Sequence, residues 1–229
     1  MNKTIHTIWL GKRMPPLVHA CIDDWDKQGF SYRVWSEADA QVTMWIENCP
    51  FANACYKKGL YAFVSDYLRL KILQDQGGLY LDTDVTIRKD PFPLFEGYRF
   101  SVGYETERFL GTAAIYAEKE SNILAELITF YEEEIWRSPL YIGPQILSSL
   151  LLERKLCEEE SKKLYPVDFF YNYQGENLNF KPPENSYLVH WFQNSWGSDK
   201  AIAFVKSKHM NLLGKFYVWQ KYFFRRFFR

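Results

Sequence analysis

The sequence has no excess of charge of either sign, few cysteines and no long apolar run. Its 28 basic and 28 acidic side chains cancel, which argues against a general nucleic-acid binder, because neutralising phosphates needs a clear basic excess. The four cysteines form no CxxC pair and lack the spacing of a zinc site, so we expect buried, reduced thiols. No run approaches the roughly 18 apolar residues of a membrane span, and the start lacks the apolar segment of a signal peptide. These absences favour a cytoplasmic protein that does not cross a membrane.

The order of predicted elements indicates an α/β protein. Thr4–Leu10 alternates like a strand, Leu17–Gln28 is typical of a helix, and Ser31–Trp35 is typical of a second strand. A β-α-β unit predicts a mainly parallel sheet with right-handed crossovers. The 229 residues fit one domain with a sizeable core. Further predicted elements are strands at 100–104, 111–116 and 186–191, helices at 37–48, 121–136 and from 145 to 155, and a helix that ends at 76. The charged run at 158–163 predicts a solvated face or loop.

One stretch, Ser65–Val85, organises the rest of the chain. It reads SDYLRLKILQDQGGLYLDTDV. Asp66 and Arg69 are three residues apart, so a helix places the carboxylate and the guanidinium on one face. The glycines at 77 and 78 end that helix, because glycine adopts the left-handed conformation of a helix C-terminus at little cost. The bland alternative for Asp66 and Arg69 is an ordinary helical ion pair, which contributes only about 0.2–0.5 kcal/mol.

Two carboxylates follow the glycines. A short buried strand, Leu79–Leu81, leads into Asp82 and Asp84, and continuation of the strand through Ile87 would place both on one side of the backbone. Adjacent carboxylates repel unless a hard cation lies between them. The alternative is a turn in which the aspartates bind their own backbone. The same spacing at Asp24–Asp26 lacks the apolar run and the glycines, so we interpret it as a solvated helix face.

These residues resemble a known family. The string SDYLRL...GGLYLDTDV is similar to the signature of retaining glycosyltransferases with a GT-A fold and a sugar-binding DxD region, the family 32 type. That group includes bacterial capsular-polysaccharide transferases, yeast mannosyltransferases and, more distantly, the glucosylating domains of large clostridial toxins. The similarity extends to IHTIWLGKRMPP, the Gly143-Pro144 pair, and the late His190 and Ser195-Trp196. It implies a single Rossmann-like GT-A domain.

The resemblance also implies donor-binding roles. Trp9 would stack on the donor's base, with a core aromatic as the alternative, and Gly11 lies just past the first strand, where ligands collect in α/β proteins. Asp66 and Arg69 correspond to the pair that binds the donor sugar. The remaining implied donor contacts are made by Tyr80, beside the base or ribose, and by Ser195 and Trp196, on phosphate oxygens.

A divalent metal fits this chemistry. Asp84 is the expected direct ligand, whereas Asp82 shares the metal or contacts the ribose. His190, at the end of a predicted strand, is a third ligand, with a structural histidine as the alternative. Because imidazole suits Mn²⁺ better than Mg²⁺, we expect Mn²⁺, with Mg²⁺ as the alternative.

The basic, aromatic tail at 214–229 is the second informative stretch, after a transferase domain at 1–213. Lys221, Arg225 and Arg229 repeat every four residues and form a basic stripe. An adjacent apolar face contains Phe223, Phe224, Phe227 and Phe228. Such a helix suits an anionic membrane surface. The alternative is a helix packed on its own domain or on a dimer partner.

The sequence therefore predicts a hexosyltransferase that uses a nucleotide sugar, UDP-linked, at the inner face of the cytoplasmic membrane. The expected acceptor is a capsular polysaccharide, a lipopolysaccharide or a lipid-linked oligosaccharide. Aromatic residues, 18% of the chain, suit sugar rings and a base, although core packing explains them equally well. Two alternatives stay open. One is a metal-dependent phosphoester hydrolase, which would normally need further histidine and aspartate clusters to build a two-metal site, whereas this chain has only four histidines. The other is a non-catalytic glycan-binding or membrane-surface protein.

Overall fold

The computed structural model describes residues 1–11, 13–173, 175, 179–192 and 199–225. Its strands are β1 (Ile5–Ile8), β2 (Tyr32–Trp35), β3 (Gly78–Leu81), β4 (Val85–Ile87), β5 (Phe100–Tyr104), β6 (Leu110–Ala117), β7 (Lys162–Tyr165) and β8 (Leu188–His190). Its helices are α1 (Pro16–Lys27), α2 (Ala40–Asn48), α3 (Pro50–Tyr56), α4 (Tyr61–Gln76), α5 (Asn122–Thr129), α6 (Gly143–Ser148), α7 (Val167–Phe170), α8 (Asp199–Ser207) and α9 (Leu212–Arg225). Short 3₁₀ and π-helical turns occur at Phe92–Phe95, Phe130–Glu134 and Ser149–Glu153.

Six strands form a central mixed sheet in the order β2-β1-β3-β6-β5-β7. The pairs β1-β2, β1-β3 and β5-β7 are parallel, whereas β6 runs antiparallel to β3 and β5. The remaining strands, β4 and β8, form a separate antiparallel pair. The predicted α/β fold class with a mainly parallel sheet is confirmed, as is a helix near the C-terminus.

The sheet separates two apolar clusters. Along β3, Tyr80 belongs to the cluster that contains most of α4, while Leu79 and Leu81 belong to the cluster around Trp25. Side chains alternate between the faces of a strand, so one buried strand supplies both layers. Tyr80 therefore points toward α4, the helix that carries Asp66 and Arg69.

The double glycine lets α4 turn directly into β3. Gly77 and Gly78 have φ of +62° and +108°, in the region that favours glycine. A Cβ on Gly78 would lie 2.6 Å from the Thr4 carbonyl oxygen, so a side chain there would push β3 away from β1. Close approach of these two strands brings their carboxyl ends together.

The predicted continuation of β3 through the two aspartates is wrong. β3 ends at Leu81, and 82–84 form a turn closed by the Val85 amide, which donates to the Asp82 carbonyl at 3.2 Å. The chain then enters the second sheet as β4. The physical reason is anchoring by α1, because Trp25 Nε1 donates to the Val85 carbonyl and Asp24 accepts from the Ile87 amide, both at 2.9 Å.

Asp24 therefore has a structural partner, and the interpretation of its motif as a purely solvated face is corrected. The predicted solvated face or loop at 158–163 is confirmed as a loop at 158–161, but Glu160 is buried and the prediction is wrong at 162–163. Lys162–Tyr165 is an edge strand that pairs parallel with β5. Its charged side chains are typical of edge strands, which is why the pattern resembled a loop.

Candidate active site

A cleft of about 560 Å³ opens beyond the carboxyl ends of β1 and β3. Because these strands are parallel neighbours, the residues that follow them meet at one edge of the sheet. Of the predicted site residues, those lining the cleft are Trp9, Gly11, Asp66, Arg69, Tyr80, Asp82, Asp84 and His190. Ser195 and Trp196 lie outside the described residues.

Arg69 is the centre of the polar network. Its side chain is 4% exposed, and its guanidinium lies 3.0 Å from Asp66 Oδ1 and 3.3 Å from Asp82 Oδ1. It also donates to the Thr112 carbonyl at 2.5 Å. Burial opposes the charge, but Asp82 and Asp66 outweigh it and hold the pKa of Arg69 above its usual value. Arg69 therefore links helix α4 to the first aspartate of the DxD turn.

Asp66 is held from the opposite side by Gly143. The Gly143 amide donates to Asp66 Oδ2 at 3.0 Å, and a Cβ on Gly143 would lie 2.6 Å from Oδ1. Only glycine fits this approach. Burial, with a contribution from Asp82, raises the pKa of Asp66 to about 6, although Arg69 opposes the shift. The Gly143-Pro144 pair of the sequence thus has a direct role in fixing Asp66.

Tyr80 orients Asp82. Its hydroxyl donates to Asp82 Oδ1 at 2.7 Å, and the Arg69 guanidinium lies 4.7 Å from the centre of its ring. The side chain is 1% exposed. With its hydroxyl engaged and its side chain buried, Tyr80 has little free surface for the expected contact with a base or ribose.

The DxD turn and β8 bring three potential metal ligands together. One ligand atom from each of Asp82, Asp84 and His190 lies within 4.8 Å of the other two. The pairing of β4 with β8 places His190 opposite Val85, and His190 Nε2 lies 3.3 Å from Asp84 Oδ1. Burial lowers the pKa of His190, but the hydrogen bond to Asp84 outweighs it and raises the pKa. Two carboxylates and an imidazole fit a divalent cation.

Trp9 and Gly11 form the rim between this cleft and a second cavity of about 740 Å³. Trp9 is half-buried, and its Nε1 has no hydrogen-bond partner among the described residues. Gly11 has φ of +98°, and its amide donates to Glu37 Oε1 at 2.9 Å. A donor base stacked on Trp9 would have the second cavity beside it.

Two contributors to the cleft carry no signal in the sequence. Thr112 acts through its backbone carbonyl, so its residue type is uninformative. Glu105 lies in the β5–β6 connection and lines the cleft as a further carboxylate. Burial raises its pKa. A lone glutamate between two predicted strands matches no motif.

Residues 15–101 match a glycosyltransferase family. The family is described as glycosyltransferase sugar-binding region containing DXD motif. The matched range contains Asp66, Arg69, Tyr80 and the DxD turn. A curated relative, Subversion of eukaryotic traffic protein A of Legionella pneumophila, is 28% identical over 118 residues, or 41% of this chain. That match spans 18% of the relative's length.

The fold is shared with one solved structure at a TM-score of 0.50, and a second structure aligns below that value. PaToxG Glycosyltransferase has a TM-score of 0.50 at 18% identity, covering 67% of this chain and 69% of that one. The glycosyltransferase GlyE of Streptococcus pneumoniae TIGR4 has a TM-score of 0.48 at 10% identity, covering 98% of this chain and 65% of that one. The family match covers less than half of the chain, and the fold shared with PaToxG Glycosyltransferase agrees with a GT-A domain.

Proposed function

We propose that this chain is a metal-dependent, retaining hexosyltransferase that uses a nucleotide sugar, UDP-linked, as donor. The observation that carries the proposal is the convergence of Asp82, Asp84 and His190 beside the buried Arg69. A divalent cation held by these three residues would act as a Lewis acid on the departing diphosphate. Imidazole among the ligands favours Mn²⁺ over Mg²⁺.

The chain's own residues bind and orient the donor. Asp66 uses one oxygen for Arg69 and the other for the Gly143 amide, so its remaining lone pairs can accept from sugar hydroxyls in a fixed direction. Arg69 keeps Asp82 aimed at the metal position. Trp9 offers an indole face for the base.

Retention of configuration is supported by the family resemblance. A front-side route needs positioning and leaving-group stabilisation but no protein nucleophile. Asp66 and Asp82 are both engaged by Arg69, which suits binding roles better than nucleophilic attack. The proposed acceptor is a surface polysaccharide or a lipid-linked oligosaccharide.

Contact with an anionic membrane surface is a second part of the proposal. Helix α9 presents exposed apolar side chains, with Leu212 84%, Leu213 80% and Phe216 60% exposed. Within the described residues, none of the helices is both long enough and apolar enough to cross a membrane. A surface helix would place the cleft near lipid-linked acceptors at the inner face of the cytoplasmic membrane.

The test is nucleotide release from a panel of UDP-, GDP- and ADP-sugars with Mn²⁺. We expect release from one UDP-hexose, its loss with EDTA and its recovery on adding Mn²⁺. Asp84→Ala should lower the rate at least 100-fold, on the order of a lost transition-state contact. Asp26→Ala, an exposed position in the chain's other Asp-x-Asp motif, is the matched control.

The rivals give different results. Cleavage of simple phosphate esters without sugar preference would identify a hydrolase. Turnover that persists in EDTA would overturn the metal-dependent transferase, and binding of nucleotide sugars without release would identify a non-catalytic protein.

A further inference from the structure

A narrow apolar groove adjoins the active-site cleft. Its volume is about 330 Å³, and its apolar walls are formed by Phe63, Phe109, Tyr141, Ile142 and Ile202. Glu105 and Pro144 line both the groove and the cleft. The groove therefore adjoins the place where the donor sugar would lie, and an occupant of the groove could reach into that cleft.

Glu105 lies at the junction of the two cavities. Its backbone amide donates to the Phe109 carbonyl at 2.9 Å, and the Phe109 amide donates to Thr106 Oγ1 at 3.1 Å. These bonds close the 105–109 loop and fix the backbone position from which the Glu105 side chain extends. Within the described part of the chain, its half-buried carboxylate has neither a hydrogen bond nor an ion pair, so it has free acceptor capacity.

The groove wall is also tied to the donor side. Tyr141 and Ile142 directly precede Gly143, whose amide holds Asp66. The Phe63 ring, on α4, lies 6.2 Å from the Tyr141 ring between centroids. The distance between groove and donor site is thus set by two packed elements, α4 and the 141–144 segment.

The groove's size and chemistry restrict its occupant. Small-molecule sites usually measure roughly 300–1,000 Å³, so a groove at the lower limit suits one ring-sized group. Sugar hydroxyls need several polar partners, and besides Glu105 the described lining of the groove offers only Thr106 and Gln145. A sugar hydroxyl suits the Glu105 end, and an apolar group attached to that sugar suits the groove.

We propose that Glu105 and the groove form an acceptor subsite in which Glu105 accepts a hydrogen bond from the attacking hydroxyl and the groove binds an apolar aglycone. This inference rests on the proposed function. In the transfer step the acceptor oxygen bonds to the anomeric carbon while that carbon's bond to the diphosphate oxygen breaks. The hydroxyl proton leaves on the nucleoside diphosphate, and Glu105 is unchanged.

The first experiment measures binding and needs no turnover. The probes are phenyl and methyl β-glycosides of glucose, galactose, mannose and N-acetylglucosamine, added to the full chain with UDP and Mg²⁺. Saturation-transfer NMR reports the affinities, and Mg²⁺ avoids paramagnetic broadening. Burying a phenyl ring should make at least one phenyl glycoside bind about tenfold more tightly than its methyl counterpart.

Two variants locate that preference. Phe109→Ala should reduce the phenyl-to-methyl ratio to near one. Phe109 is 38% exposed, so its truncation leaves no core cavity, and thermal melting checks the fold. Met44→Ala, an exposed apolar position outside the groove (48% exposed), should keep the ratio. Equal binding of both glycosides for all four sugars, or a preference that survives in Phe109→Ala, would overturn the groove assignment.

The second experiment measures how the donor sugar divides between acceptor and water. With the phenyl glycoside that binds, Glu105→Gln should lower the transfer-to-hydrolysis ratio roughly tenfold, the effect of weakening a charged hydrogen bond. Glu107→Gln makes the same change at an exposed position in the same loop. An unchanged ratio in Glu105→Gln, or no transfer to any phenyl glycoside that binds, would overturn the acceptor role. Absence of donor cleavage altogether would instead refute the proposed function.

Discussion

The guanidinium of Arg69 satisfies three separate demands in one buried position. It balances two carboxylates that would otherwise repel, Asp66 and Asp82, and it satisfies the Thr112 carbonyl. A planar fork can reach all three at once, whereas an ammonium is a single point charge. The arrangement of the cleft residues therefore depends on an arginine at position 69, and not only on a positive charge there.

Substituting Arg69 by lysine tests this directly. We expect Arg69→Lys to lower nucleotide release at least 100-fold and to reduce the free energy of unfolding by roughly 1–3 kcal/mol, because lysine keeps the charge but leaves buried hydrogen-bond partners unsatisfied. Arg33→Lys, at a surface ion pair with Asp39 that is 47% exposed on the arginine side, should stay near wild type. For both variants, urea unfolding measures the stability and the donor assay measures nucleotide release. Equal behaviour of the two variants would contradict the assigned network.

His6 makes the stability of the fold depend on pH. Trp35 Nε1 donates to His6 Nδ1 at 3.2 Å, so Nε2 carries the proton that is donated to the Gly77 carbonyl at 3.0 Å. Both ring nitrogens are used by the neutral form. Burial lowers the pKa of His6 to about 4.

This lowered pKa gives a signed prediction. Between pH 6.5 and 4, His6 is protonated in the unfolded chain but not in the folded chain. The free energy of unfolding is therefore highest above pH 6.5 and falls as the pH is lowered toward 4, by roughly 3 kcal/mol at most. The raised pKa of Asp66 has the opposite effect on the free energy of unfolding over pH 4–6. Because both the wild type and His6→Gln contain Asp66, this effect cancels when the two are compared. Urea unfolding at pH 7, 6 and 5 should show a shallower loss in His6→Gln than in wild type. Parallel curves would refute the assignment.

At the scale of elements, structure set by local sequence could be predicted, whereas structure set by long-range strand pairing could not. The α4–glycine–β3 unit was predictable because a helix period, two glycines and an apolar run are all local. The turn at 82–84 was not, since β4 leaves the main sheet to pair with β8, about a hundred residues later. The local sequence of β4, VTI, contains no pattern that indicates pairing with β8. The three candidate metal ligands could be named from the sequence, but their convergence comes from this turn and pairing.

Helix α9 carries a prediction at the same scale. Phe216 and Tyr217 are 60% and 66% exposed, and Lys215 and Lys221 lie on the same helix. We expect the full chain to float with liposomes containing 30% phosphatidylserine (about the anionic content that attracts basic segments) and to be released by high salt. Phe216→Ala combined with Tyr217→Ala should reduce the bound fraction severalfold.

The control for α9 is Met44→Ala, an exposed apolar truncation on α2. It should float like the wild type. Equal flotation of the double variant and the wild type would indicate that α9 has another partner, such as a second copy of the chain.

At the scale of the whole molecule, charge is distributed unevenly. Residues 200–229 contain eight basic and no acidic side chains, although the complete chain has no net charge. The rest of the molecule is therefore acidic, and it contains the carboxylate-lined cleft. An anionic surface would attract the α9 end and repel the opposite end, which gives the enzyme a preferred orientation. The overall composition does not reveal this uneven distribution, because the positive charge of 200–229 cancels the negative charge of the rest of the chain.

The small β4–β8 sheet has a consequence for how the protein loses function. Asp84 and His190 meet through three-residue strands, while the six-stranded sheet and α4 hold most of the core. Although most side chains of β4 and β8 are buried, a two-stranded sheet of three-residue strands has few ladder hydrogen bonds, so it should open locally at lower free energy than the six-stranded sheet. Cation release on warming should therefore precede global melting, and a bound nucleotide should protect the amide hydrogens of 85–87 and 188–190 from exchange more than those of β3.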